Sequence, residues 1–260
     1  MARMHLMEFH DQTWYPRQWR DEVTDMLALS ADVADPYVGV VQRIAEVFKA
    51  TGSERFVDLC AGGTGPWRSM LPHLERHLGR PPEVVLTDLF PNLNAFARAE
   101  TDTVGAVRGV REPIDATAVP EDLTGFRTVC AAFHHFAPDL ARAILEDAVA
   151  KRQPIVILEM TSRTPLAMLG MAAIPFFAAA ITPWAKPMTL GRLLRTYVMP
   201  VLPATLMVDG FVSCLRSYSP KELRDLVVGL DAFEWEIGGA WAGRVPLRAT
   251  YLLGWPRGGR

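Results

Sequence analysis

The chain of 260 residues is predicted to fold as an α/β domain on a mostly parallel sheet with helices on both faces. Three observations carry that expectation. From Phe56 to Met160 short apolar runs alternate with helical patterns, the signature of strands joined by right-handed crossovers. A glycine turn, Ala61 to Gly65, separates one such run from a helix start at Pro66. Residues able to touch a ligand fall at the ends of these runs, where open parallel sheets bind theirs. Half of the chain is hydrophobic, enough for one full core, so one domain with additions is expected.

Residues 1–55 precede the first strand and read as a helical cap. Asp11 to Pro16 is an aromatic turn, after which Trp19, Val23, Met26 and Leu27 recur at helical spacing. A second helix is expected with Asp35 as N-cap and Pro36 at its first position, and Gly52 stops it. Strands follow at 56–60, 83–87, 106–110, 127–132 and 154–159, with helices near 66–79, 92–100 and 138–150. Glycines in the first turn let a backbone approach a bound group, and the N–H groups of the helix behind it favour an anionic or electron-rich ligand. Asp88 closes the second strand, placed to accept two ribose hydroxyls. Arg68 stands where a third fingerprint glycine would be, so a dinucleotide is not signalled, and no Walker lysine is present.

Composition narrows the function. A net charge of −2 with scattered arginines gives no electrostatic footprint for nucleic acid. Cys60, Cys130 and Cys214 form no close-spaced pair and read as small buried hydrophobes in a reducing cytoplasm. Residues 1–10 lack the apolar core of a signal peptide.

Asp58-Leu-Cys-Ala-Gly-Gly-Thr-Gly65 resembles the first motif of class I S-adenosylmethionine (SAM) methyltransferases, which reads Asp-Leu-Gly-x-Gly-x-Gly, with one extra residue in the turn. Asp88, Ile114-Asp115-Ala116, Ala131 to Phe136 and Glu159 stand in the order of that family's later motifs. The resemblance covers residues 56–160 and implies a Rossmann-like seven-stranded sheet. It also implies SAM as cofactor, contacted by Asp58, Ala61, Gly62, Gly63, Gly65, Asp88, Leu89, Asp115, Ala116 and Phe133. The extra residue leaves open whether Asp58 keeps its usual place near the methionine end. His134, His135 and Glu159 are the catalytic candidates. Adjacent side chains point apart, so one histidine at most is expected to serve as general base, the alternative being to shape the pocket. No metal is expected, because no other His or Cys lies at ligand spacing. Trp14, Tyr15 and Trp19 read either as a packing anchor or as an aromatic cover for the sulfonium cation.

The last third begins with an uncharged stretch, Thr164 to Ala185, broken by Pro165, Gly170, Pro175 and Pro183. It is followed by basic Lys186, Arg192 and Arg195 and an apolar helix over Leu190 to Val208. Residues 161–210 read as a helical lid over an apolar substrate pocket, with a membrane surface at 164–208 as the alternative. Asp209 to Tyr218 reads as a loop or short strand. Arg216 and Tyr218 are candidate substrate contacts, an arginine there being equally explained by a surface ion pair. Ser219-Pro-Lys-Glu222 is a capping box, and residues 211–260 complete the sheet with two antiparallel strands. The expected function is a cytoplasmic SAM-dependent methyltransferase acting on a small, apolar molecule. Its rivals are a same-fold enzyme doing non-methyl transfer or cyclisation, and a non-catalytic SAM-binding module whose helical pair docks a membrane or partner.

Overall fold

The computed structural model describes residues 2–258. Seven strands form one sheet in the order β3-β2-β1-β4-β5-β7-β6: β1 (Arg55–Leu59), β2 (Glu83–Leu86), β3 (Val107–Gly109), β4 (Phe126–Cys130), β5 (Ile155–Glu159), β6 (Phe233–Trp241) and β7 (Arg248–Pro256). The first five are parallel, and β7 runs antiparallel to both β5 and β6. Strand order reverses between β1 and β4, which opens a crevice at their carboxyl ends.

Alternate strand residues feed two apolar layers. Phe56, Phe126 and Val156 pack under α2 (Val38–Ala50), α3 (Trp67–Leu78) and α4 (Leu93–Asp102). Val57, Val129 and Ile157 pack on α5 (Pro138–Ala150) and α9 (Pro220–Leu226) on the other face. The capping box opens α9 as expected, with the Ser219 side chain on the Glu222 N–H and the Glu222 carboxylate on the Ser219 N–H.

A third apolar cluster joins α1 (Arg17–Ala34), α6 (Pro165–Ile181) and α8 (Val201–Arg216) through Val23, Met26, Ala178, Ile181, Leu202 and Leu206. The cap helix α1 and the insertion therefore share one core, whereas α2, expected with the cap, covers the sheet. Of the basic residues between the apolar helices, Lys186 is exposed while the two arginines turn inward. Arg192 is buried on Asp25 at 2.6 Å, and Arg195 takes Glu22 with two donors. Pro165–Trp184 is long and apolar enough to cross a membrane by length and composition, and Leu166, Leu169, Phe176 and Trp184 on it are exposed.

Three sequence expectations are corrected. Asp35 does not open α2; it ends α1 in the left-handed region at φ 50° and its carboxylate meets His73 Nε2 at 2.7 Å. The second apolar helix is two: the four residues of α7 (Leu190–Leu193) run into a π-turn, and α8 starts only after Pro200. Asp209 to Arg216, read as a loop or strand, is the last part of α8.

Candidate functional site

The glycine turn leaves β1 through Cys60, whose φ of 59° stands where the motif's first glycine would be. A left-handed non-glycine residue costs about 1 to 2 kcal/mol, and Gly62 and Gly65 take the same region without that penalty. A Cβ on Gly65 would stand 3.2 Å from Asp58 Oδ2, so the turn closes directly on the Asp58 carboxylate.

Asp58 is fully buried, and both of its oxygens are occupied by the chain: Thr128 Oγ1 donates to Oδ1 at 2.5 Å and Trp67 Nε1 to Oδ2 at 2.9 Å. The carboxylate ties β4 and α3 to the turn and is closed off from solvent by the surrounding core. Burial pushes its pKa from 3.8 up to about 6, opposed by these two hydrogen bonds. A folded-state value above the unfolded one adds stability that is fully present below about pH 4 and lost as pH rises through about 6. A shift of this size is worth about 3 kcal/mol. Relative to Asp58→Asn, the wild-type chain should lose up to that amount between about pH 4 and 7. Chemical denaturation at both ends of the range measures it, and a constant difference would contradict the assignment.

Asp88, half-buried at the tip of β2, accepts from the Gly62 N–H at 2.7 Å and the Phe90 N–H at 2.8 Å, one on each oxygen. Each oxygen keeps a lone pair for a further donor. The Ile114 N–H donates to the Asp88 carbonyl, which draws the next segment alongside. There Asp115 is exposed, with Oδ1 on the N–H and hydroxyl of Thr117. Ala61 and Leu89 border the same strand tips, Ala61 half-buried and Leu89 exposed. Ala116 and Phe133 instead point into the core beneath α5, Phe133 against the Tyr218 ring. On the solvent side the Thr24 methyl of α1 lies over the turn, 2.7 Å from where a Gly63 Cβ would be.

Across the switch point, β4 passes through Ala131, also left-handed at φ 50°, into a 3-10 turn, Phe133–His135. His134 is buried, with Nδ1 on Glu159 Oε2 at 2.9 Å, while its N–H donates to Glu159 Oε1 at 3.0 Å. The half-buried His135 turns Nδ1 to Asp11 Oδ1 at 3.0 Å. The Nε2 atoms face Glu8: His134 Nε2 lies 3.8 Å from Oε1 and His135 Nε2 3.7 Å from Oε2. The two rings lie side by side, centroids 4.3 Å apart, where the sequence led us to expect adjacent side chains to point apart. Arg216 is buried, not a surface pair. Its Nη1 meets Asp11 Oδ2 at 2.7 Å and Glu8 Oε1 at 3.1 Å, and Nη2 donates to the His135 carbonyl. Burial raises the Glu8 carboxyl, with His135 and Arg216 opposing. Burial alone would raise Asp11 too, yet its bonds to His135 and Arg216 hold it well below the usual carboxylate range.

The N-terminal segment is thus part of the site. The Phe9 and His10 N–H groups bind the Asp209 carboxylate of α8, and His10 Nε2 meets Thr24 Oγ1 at 3.0 Å. Glu8 and Asp11 had no sequence signal, being linear neighbours of nothing in the site. Tyr37, which precedes α2, is buried with its hydroxyl on the Leu158 carbonyl. Tyr15, of the aromatic turn, is buried with its hydroxyl 2.9 Å from Thr205 of α8, as a packing anchor would be, while Trp14 is exposed.

This sheet, with its glycine turn and acidic strand tips, is the fold of class I SAM-dependent methyltransferases. No family profile matches the chain, and no curated protein does. Among solved structures it is similar to the mitomycin 7-O-methyltransferase MmcR (13% identity, 95% of this chain and 60% of that one, TM-score 0.51). It is also similar to an O-methyltransferase family 2 protein from Planctomyces limnophilus in complex with apigenin (13% identity, 90% and 61%, TM-score 0.51). A third is PigF with S-adenosylhomocysteine (SAH) (16% identity, 94% and 62%, TM-score 0.50). The chain spans about three fifths of each, and the likeness is one of fold.

Proposed function

We propose that the chain is a SAM-dependent methyltransferase that methylates an oxygen of a small, apolar molecule. The observation that carries this reading is the pairing, across one switch point, of a glycine turn bonded to Asp88 with the two imidazoles that follow β4. The O-methyltransferases of the same fold and the SAH of PigF support it.

The residues present suit such a cofactor. Asp88 has lone pairs left for ribose hydroxyls, Asp115 Oδ2 is open, and among the turn glycines Gly62 leaves room for a close approach. Asp58, Ala116 and Phe133 act behind that surface as supports. SAM supplies an electrophilic methyl group on a sulfonium. The chain's part is to hold the acceptor in line with it, and such positioning is worth up to about 7 to 11 kcal/mol in favourable cases. His135, the half-buried imidazole, is the ring placed to meet the acceptor hydroxyl, with Asp11 fixing it and Glu159 holding the buried His134 beside it. The apolar cluster of α1, α6 and α8 stands next to it, because α1 touches the glycine turn and α8 packs against the 133–135 turn.

The test is product analysis with SAM and a panel of hydroxylated aromatic compounds. SAH formed together with a methyl ether is the expected result. Methylthioadenosine as product would replace methyl transfer with cyclisation or aminopropyl transfer, and no turnover with SAM bound would favour a binding module.

A further inference from the structure

We propose that Glu8, His134 and His135 form a binding site for one divalent transition-metal ion of the zinc class. The ligand atoms of the three lie within 4.8 Å of one another. The Nε2 to carboxylate distances are 3.8 and 3.7 Å, against about 3.3 to 3.6 Å for ligands about 2.0 to 2.2 Å from a tetrahedral ion. These two distances reach different oxygens of Glu8, so closing the site asks the three side chains, whose ligand atoms lie within 4.8 Å of one another, to draw together by up to about an ångström.

The surroundings are built as those of a metal centre are. A carboxylate only accepts, so Glu159 and Asp11 each fix a proton on the Nδ1 they face, which makes Nε2 the ring nitrogen turned toward an ion. Carboxylate–histidine pairs of this kind orient metal ligands and raise their basicity. Glu8 is oriented as well: Arg216 and Ser213 both donate to Oε1, which leaves Oε2 toward His135. His134 Nε2 is fully buried and has no hydrogen-bond partner. It faces the Glu8 carboxylate at 3.8 Å with no hydrogen bond between the two. A proton on Nε2 does not repair this, since 3.8 Å is beyond hydrogen-bond reach. An ion bound to both does.

Charge points the same way. Glu8, Asp11 and Glu159 converge here; Arg216 bonds Glu8 and Asp11, and Glu159 bonds His134. Arg3 is close, but donates to the carbonyls of Arg216, His134 and Phe136. The three carboxylates outnumber the one guanidinium bonded to the group, an excess that a dication would offset. Two imidazoles and one carboxylate suit zinc and its first-row neighbours and leave at least one coordination position open. An ion there would lower the pKa of a hydroxyl bound to it. That consequence rests on the methyl-transfer reading; the binding itself does not.

The experiment is calorimetric titration of zinc into the chelator-stripped, untagged chain without SAM, with cobalt(II) absorption as a second readout. Saturation at one ion per chain is expected, with visible ligand-field bands for cobalt. His135→Ala, at a half-buried position, and Glu8→Gln should each weaken zinc by at least about a hundredfold and abolish the bands, while circular dichroism shows them folded. A wild-type chain that takes up no zinc overturns the proposal, as does either folded variant binding zinc like the wild type. Neither outcome bears on SAM binding, which is measured separately.

Discussion

His135→Ala is expected to lower kcat by about a hundredfold to ten-thousandfold while SAM affinity stays at the wild-type value. That range is what a group aiding proton removal from a hydroxyl acceptor contributes. His135 is the more accessible of the pair, and its ring is oriented by Asp11 and faces Glu8 through Nε2. Removing it leaves Asp88 and the glycine turn untouched, since those lie on the β1–β2 side of the switch point. Single-turnover rates at saturating SAM separate the effects. A loss below tenfold would mean that positioning alone carries the reaction; a parallel loss of SAM affinity would mean that His135 belongs to the cofactor site.

Arg216→Ala is expected to destabilise the fold by about 3 to 5 kcal/mol, the effect of removing one partner from a buried ion group. Arg216 is 3% exposed and Glu8, which it neutralises, is 3% exposed. Without the guanidinium, Glu8 and Asp11 lose a shared cation and the His135 carbonyl loses a donor. Part of the effect should be recovered in Arg216→Leu combined with Glu8→Leu, because replacing both charges removes the unpaired one. Urea denaturation measures this. A change below about 1 kcal/mol for Arg216→Ala would show that the buried group is not ionised as described.

The parallel half of the sheet was legible in the sequence because it is locally encoded. Strands buried on both faces are largely apolar runs, so β1, β2, β4 and β5 fall within one or two residues of their expected bounds. The Ser219 capping box was legible for the same reason. What escaped was long-range. Asp209 and Gly210 look like a helix stop after an apolar run, yet Asp209 continues α8 because its carboxylate takes two N–H groups from the N-terminal segment. His135 and Asp11 are 124 residues apart in sequence, and spacing along the chain carries no trace of such a pair. The expectation of no metal rested on that spacing alone. Asp58 was legible as an acidic strand end but not as a buried support, because its partners Thr128 and Trp67 come from a different strand and the following helix.

The account stands on SAM lying across the strand tips with its ribose on Asp88. Calorimetric titration of SAM into the wild-type chain and into Asp88→Ala tests this most directly. Losing a carboxylate that accepts two hydroxyls costs about 2 to 3 kcal/mol, or roughly thirtyfold to a hundredfold in affinity. The predicted result is saturable one-to-one binding by the wild type, weakened by that factor in a variant that remains folded. No binding by the wild type, or equal affinities for the two, would contradict it.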